Sequence, residues 1–138
     1  MSLQINEFLA SLVDFLYFFG VAVVLTIIFM VIYWAVTKHN EFKLIKENSV
    51  AAAVAFSGAI IGFALPLVSV MVNSIGISDM VLWGGVALVV QIVVYFLVRL
   101  PMPRISERIE ANEISAGIWL GSASLVGGML NAASMTPT

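Results

Sequence analysis

Four long apolar stretches separated by short polar ones dominate the chain. They run roughly over Phe15–Val36, Val50–Ile75, Met80–Leu100 and Ile114–Met135, the last being the least hydrophobic. A helix rises about 1.5 Å per residue, so a hydrocarbon core of about 30 Å takes about 20 apolar residues, a length each stretch reaches. Only helices and closed barrels satisfy their own backbone hydrogen bonds in lipid. Continuous apolar runs without a two-residue alternation are not barrel strands. The pattern predicts an all-α integral membrane protein with four transmembrane helices in a single membrane domain over residues 1–138. Met1–Asn6 holds no Lys or Arg and the apolar run beyond it is longer than a signal-peptide core, so the first span is expected to persist as an anchor.

Polar residues punctuate the spans. Asn48 and Asn112 each precede a span and are expected to cap its N-terminus, with Glu47, Glu110 and Glu113 beside those positive helix ends. Gly76 and Ser78-Asp79 read as a short turn, Pro101 and Pro103 end the third span, and Pro66 is expected to kink the second or simply to pack within it.

Composition agrees with the pattern. Of 138 residues, 62% are hydrophobic and 10% charged, and the mean hydropathy is +1.10, against about a quarter charged in a soluble domain. No cysteine is present, which excludes disulfides and thiolate metal sites. Charge placement carries more than the net −2. Every Lys and Arg lies in or beside two polar segments: Lys38, Lys43 and Lys46 after the first span, and Arg99, Arg104 and Arg108 after the third. Short Lys- and Arg-rich loops stay in the cytoplasm. Both termini are therefore expected outside, N-out and C-out.

The two halves repeat. At a shift of 65, Asp14 falls on Asp79, Gly20 on Gly85, Thr26 on Gln91 and Ile27 on Ile92; at a shift of 64, Asn48 falls on Asn112 and Ala52 on Ala116. Two tandem two-helix repeats, about 14–75 and 79–135, follow. Each holds an even number of spans, so the repeats have parallel orientation.

The second and fourth spans are rich in Gly, Ala and Ser, which let helix backbones approach closely in lipid. Gly58 with Gly62, Gly117 with Gly121, and Gly128 further along lie on small-residue stripes expected to pack helices, within one chain or in a homo-oligomer. Ser69, Asn73, Ser124 and Asn131 on those stripes, together with Gln91, form a candidate polar path for a solute. Gln91 alternatively makes a hydrogen bond to a neighbouring helix. Asp14 and Asp79 read as outer-interface acids, at helix ends or as a ring that concentrates cations.

Catalytic chemistry is sparse. His39 is the only histidine and stands beside Lys38, where solvated or interfacial placement is expected. No Lys, Arg, Asp, Glu or His falls deep within a span, which argues against proton coupling. An enzyme is not expected, nor a metal, a cofactor or nucleic acid. Around Phe42 and Ile45, and around Ile105 and Ile109, the basic segments are amphipathic. They suit an interfacial helix on anionic lipid, a docked cytoplasmic partner, or plain positive flanks.

Several segments carry a family resemblance: His39-Asn40-Glu41, Ala55-Phe56-Ser57-Gly58, Trp83-Gly84-Gly85-Val86-Ala87-Leu88-Val89, Asn112-Glu113-Ile114-Ser115-Ala116-Gly117 and Gly127-Gly128-Met129-Leu130-Asn131-Ala132-Ala133. Together they make the chain resemble, over nearly its whole length, a family of small bacterial inner-membrane proteins described as a domain of unknown function. The resemblance implies a multi-pass protein of the bacterial cell inner membrane with periplasmic termini. It implies no reaction and supplies no catalytic residues. Relatives are often encoded near membrane-remodelling proteins of the phage-shock type and near ATP-grasp ligases, which suggests a part in envelope maintenance. The leading expectation is a non-enzymatic, oligomeric module that docks cytoplasmic partners, with a membrane-remodelling protein among them. The alternative is a small oligomeric ion channel or transporter.

Overall fold

A computed structural model describes residues 2–73 and 76–135. They form six helices in chain order: α1 (Ser2–Val36), α2 (Glu41–Lys46), α3 (Val50–Asn73), α4 (Ile77–Arg99), α5 (Ile105–Glu110) and α6 (Ile114–Ser134). No strand occurs among the described residues. The four long helices are each long and apolar enough to cross a membrane. The order is long, short, long, taken twice. Ser74 and Ile75, where the second span was expected to end, lie outside the described residues.

Two boundaries differ from those read in sequence. Helix α1 begins at Ser2 rather than Phe15, because Leu3-Gln4-Ile5-Asn6-Glu7 contains no helix breaker. Its 35 residues extend about 50 Å at about 1.5 Å per residue, well beyond a hydrocarbon core. Helix α4 begins at Ile77 behind an extended Gly76, which places Ser78 and Asp79 in its first turn rather than in the connection. A carboxylate there suits the positive end of the helix.

Among the described residues, helices α3 and α6 share the most extensive interface. They run in the same direction: Gly117 lies against Ala51, Gly121 against Val54 and Ala55, and Gly128 against Gly62. A Cβ added at Gly121 would stand 2.7 Å from the Val54 carbonyl oxygen, and one at Gly58, Gly62, Gly117 or Gly128 would meet backbone of the opposite helix still more closely. Lipid gives apolar side chains no reason to prefer one another, so this backbone-to-backbone fit supplies the dispersion contacts that select the pairing. The small-residue faces thus meet inside one chain. Helix α3 continues through Pro66. Proline cannot donate to the carbonyl of Gly62, and that carbonyl faces Gly128 across the interface.

Helix α4 covers one side of this pair through a single stripe: Met80, Gly84, Ala87, Gln91, Tyr95 and Val98. Helix α1 packs least. Only Phe29 and Tyr33 are buried on it, with the Phe29 ring stacked on Phe63 at 4.5 Å and Tyr33 edge-on to Tyr95 at 6.0 Å.

The expected asparagine caps are not what the structure contains. Asn48 and Asn112 have positive φ, 66° and 58°, and each closes the short helix before it. Asn48 N–H donates to Ile45 O and Ser49 N–H to Leu44 O; Asn112 N–H donates to Ile109 O and Glu113 N–H to Arg108 O. These are Schellman closures, in which asparagine tolerates the left-handed conformation. The Asn112 side chain caps a helix after all, but in the other half of the chain: its Oδ1 accepts from Ala51 N–H at 3.1 Å and from Ser49 Oγ at 3.3 Å. Ser49 in turn accepts from Ala52 N–H, serving as the local N-cap of α3.

Candidate site at the basic end

All six Lys and Arg residues gather at the end of the bundle where α1 and α4 finish and α3 and α6 begin. Lys38, Lys43, Lys46 and Arg104 are exposed. Arg108 pairs with Glu113 at 3.2 Å, and the Arg99 guanidinium lies 5.7 Å from the centroid of the Phe96 ring. Helix α2 holds Phe42 outward, edge-on to Trp34 at 6.1 Å, and Trp34 Nε1–H donates to Asn40 Oδ1. The result is an open groove of about 640 Å³ lined by Trp34, Asn40, Phe42, Lys43, Lys46 and Glu47. The matching hydrophobic pair of α5 is not on a surface: Ile105 and Ile109 are fully buried beneath α5. The two amphipathic segments therefore part company: α5 buries both isoleucines, while Phe42 and Ile45 stay partly exposed, Phe42 edge-on to buried Phe56 at 5.4 Å.

Beneath this rim lies a buried polar cluster that sequence reasoning missed. His39 was expected in solvent or at the interface, yet it is 2% exposed, and Glu41 is 0% exposed. The Thr37 hydroxyl hydrogen-bonds Glu41 Oε1, and His39 Nε2 stands 3.5 Å from the same oxygen. His39 Nδ1 meets Ser106 Oγ at 2.9 Å, Ser106 Oγ meets Tyr95 Oη at 2.7 Å, and Lys38 N–H donates to Tyr95 Oη at 3.4 Å. The cluster joins the connection after α1, helix α2, helix α4 and helix α5. Burial disfavours the charged form of each group. It pushes the Glu41 carboxyl up to about 7 against the pull of the Thr37 bond, and the His39 imidazole down to about 4. No pattern in the sequence marked it, since Lys38, Asn40 and Lys43 around the buried pair are exposed.

Further into the bundle, Gln91 is fully buried, and its Nε2–H donates to Ser124 O at 3.0 Å. Tyr33 Oη and Ser124 Oγ are enclosed without a hydrogen-bond partner. Of the candidate path, the structure brings Gln91 and Ser124 together. Asn73 is exposed and returns its Nδ2–H to Ser69 O on its own helix, which leaves Ser69 half-buried near the far end. Asn131 is half-buried, its Nδ2 enclosed and without a partner. Asp14 and Asp79 are exposed, far along α1 and α4 from the basic end.

Comparison with known proteins fits this picture. The chain is 47% identical over 128 residues to the UPF0719 inner membrane protein YjfL of Escherichia coli (strain K12), covering 93% of this chain and 97% of that protein. It is 26% identical over 109 residues to the UPF0719 transmembrane protein YshE of Bacillus subtilis (strain 168), covering 78% and 81%. No solved structure matches. Four apolar spans and inner-membrane relatives make this a multi-pass inner-membrane protein. With residues 7–135 matching the model of the domain of unknown function DUF350, the chain belongs to that family.

Proposed function

We propose that this protein is a non-enzymatic membrane module of envelope maintenance, and that its basic end faces the cytoplasm and docks an acidic protein partner. The termini then lie in the periplasm, and the two helix-pair repeats share one orientation. The groove between Trp34, Phe42, Lys43 and Lys46 carries this reading: it joins exposed aromatic edges to ammonium groups that form no ion pair among the described residues. Aromatic anchors inside a charged rim are the usual composition of a protein docking patch. A membrane-remodelling protein is the kind of partner this role calls for. The homo-oligomer in this reading uses outward faces, because the glycines of α3 and α6 are engaged within the chain.

The test is photo-crosslinking in living cells from a probe at Phe42. A discrete adduct with one soluble protein, lost when Lys43 and Lys46 are both changed to Glu, is the expected result. Adducts indifferent to those charges would sink the reading.

A second reading, a small oligomeric ion channel or transporter, is favoured by one observation. Gln91 Oε1, Ser124 Oγ and Asn131 Nδ2 are enclosed and unpartnered on neighbouring helices, as groups lining a hydrated path would be. Ion flux into liposomes that Gln91→Leu and Asn131→Leu abolish would establish it, and flux that both variants retain would reject it.

A further inference from the structure

We propose that Glu41 and His39 form a proton-binding site entered from the basic end, with Glu41 as the group that takes up the proton. The proposal is independent of the docking reading and of the conduction reading.

Three geometric facts carry it. The first is enclosure without compensation. Glu41 is completely buried, and the group within ion-pair distance of it is His39, 3.5 Å away and itself buried, whereas Lys38 is exposed and the Arg99 guanidinium lies against the Tyr95 and Phe96 rings. Helices α3 and α6, which line the core here, contain no titratable side chain at all. Helix α1 presents Tyr33 and helix α4 presents Tyr95. On α5, Glu107 and Glu110 are exposed, and Arg108 is paired with Glu113. A bare carboxylate in such a place lacks a counter-ion.

The second fact is the count of hydrogens. The Thr37 hydroxyl owns one proton and has three oxygens in reach: Glu41 Oε1, His39 O at 3.2 Å and Trp34 O at 3.4 Å. If Glu41 is the carboxylic acid, it donates to Thr37 Oγ1 and Thr37 donates onward to a carbonyl, so each proton has an acceptor. If Glu41 is a carboxylate, Thr37 turns to it and the carbonyl it would otherwise serve loses that donor. Buried groups favour the arrangement in which donors and acceptors balance.

The third fact is access. An open groove of about 330 Å³ is lined by Trp34, Ala35, Thr37, Lys38, His39 and Asn40. It brings solvent to the two residues that touch Glu41, while Glu41 Oε2 and His39 Nε2 are enclosed with no partner of their own. A hydronium ion reaching this groove gives its proton to the carboxylate, forming an O–H bond there and leaving as water. The pair then goes from net −1 to neutral with the imidazole uncharged. Burial acts on both groups in the sense this requires, raising the acid and lowering the base.

The chain has eight acidic residues, and every one except Glu41 is exposed, so one carboxyl should stand apart in a titration. Infrared spectra of the full-length protein in phosphatidylethanolamine–phosphatidylglycerol vesicles, recorded from acid to alkaline pH, read it directly. The expected result is one carboxylic-acid C=O band that survives at pH values where ordinary carboxylates are ionised, about two units above their midpoint. It should vanish as the pH passes about 7, and it should be missing in Glu41→Gln but present in Glu107→Gln. Wild-type protein with no such band overturns the proposal, whether or not Glu41→Gln folds. So does a band that Glu41→Gln keeps.

Discussion

The α3–α6 seam and the polar cluster at the basic end are both buried, and they are held by opposite means. The seam has almost no side chains: its glycines let two backbones touch, and its specificity is one of shape. The cluster is specified by directed bonds among Thr37, Glu41, His39, Ser106 and Tyr95, with shape secondary. The seam has nothing to gain or lose with pH, whereas the cluster holds a carboxyl and an imidazole whose charges burial opposes. One region is built to stay assembled and the other can change state without being taken apart.

The strongest way to break the seam is to insert a side chain where backbones meet. Gly128→Leu would drive its side chain into the Gly62 backbone, and the cost should exceed about 3 kcal/mol, since rigid backbone cannot yield as a core side chain does. The expected outcome is loss of the folded monomer, read as aggregation in size-exclusion chromatography in detergent.

A titration divides the two regions more finely. Glu41, raised from 4.5 to about 7, contributes stability that is complete below 4.5 and lost as pH rises through about 7. His39, lowered from 6.5 to about 4, contributes stability that is complete above 6.5 and lost as pH falls through about 4. The two oppose each other between 4.5 and 6.5, so wild-type thermal stability should be level there and decline on either side. Glu41→Gln should abolish the alkaline decline and turn the level stretch into a rise toward pH 6.5, a difference from wild type of about 3 kcal/mol across the Glu41 titration. Gly121→Ala, a seam variant, should shift the whole curve without changing its shape. An unchanged alkaline limb in Glu41→Gln would place the titrating group elsewhere.

Ser106→Ala removes the shared partner of His39 and Tyr95. Leaving His39 Nδ1 unpaired and Tyr95 Oη with only the Lys38 N–H should cost about 1–3 kcal/mol in thermal denaturation. The smallest effect sharpens the comparison from the seam side. Ser57, exposed at the edge of an open groove beside α6, should accept Leu within about 0.5 kcal/mol, because the groove leaves room for the larger side chain. A large loss at Ser57 would mean that the seam is wider than the contacts at Gly58 imply.

Much of the architecture was legible along the chain. Span number, helical state and membrane placement follow from the length of the apolar runs, because lipid leaves a polypeptide so few choices. The basic clusters were legible for the same reason. Helix closure was not. Asn48 and Asn112 stand where an N-cap belongs, and only the turn of each short helix into a Schellman motif shows which end they serve. The fate of the two amphipathic segments was equally hidden: Ile105 and Ile109 have the same spacing logic as Phe42 and Ile45, yet only α5 turns its apolar face fully inward.

The sequence by itself determined that this is a four-span membrane protein with one basic end and two helices able to touch backbone to backbone. These are one-dimensional properties: run length, charge position and residue size at helical spacing. Only the tertiary structure decided that the glycine faces meet within one chain, that Asn112 accepts from a helix N–H 61 residues away, and that His39 and Glu41 leave solvent. Each of these depends on where a short connecting segment folds back across the bundle. The local sequence permits several such paths, and the packing of four helices admits the one that buries Ile105 and Ile109 and closes the hydrogen bonds of Ser106.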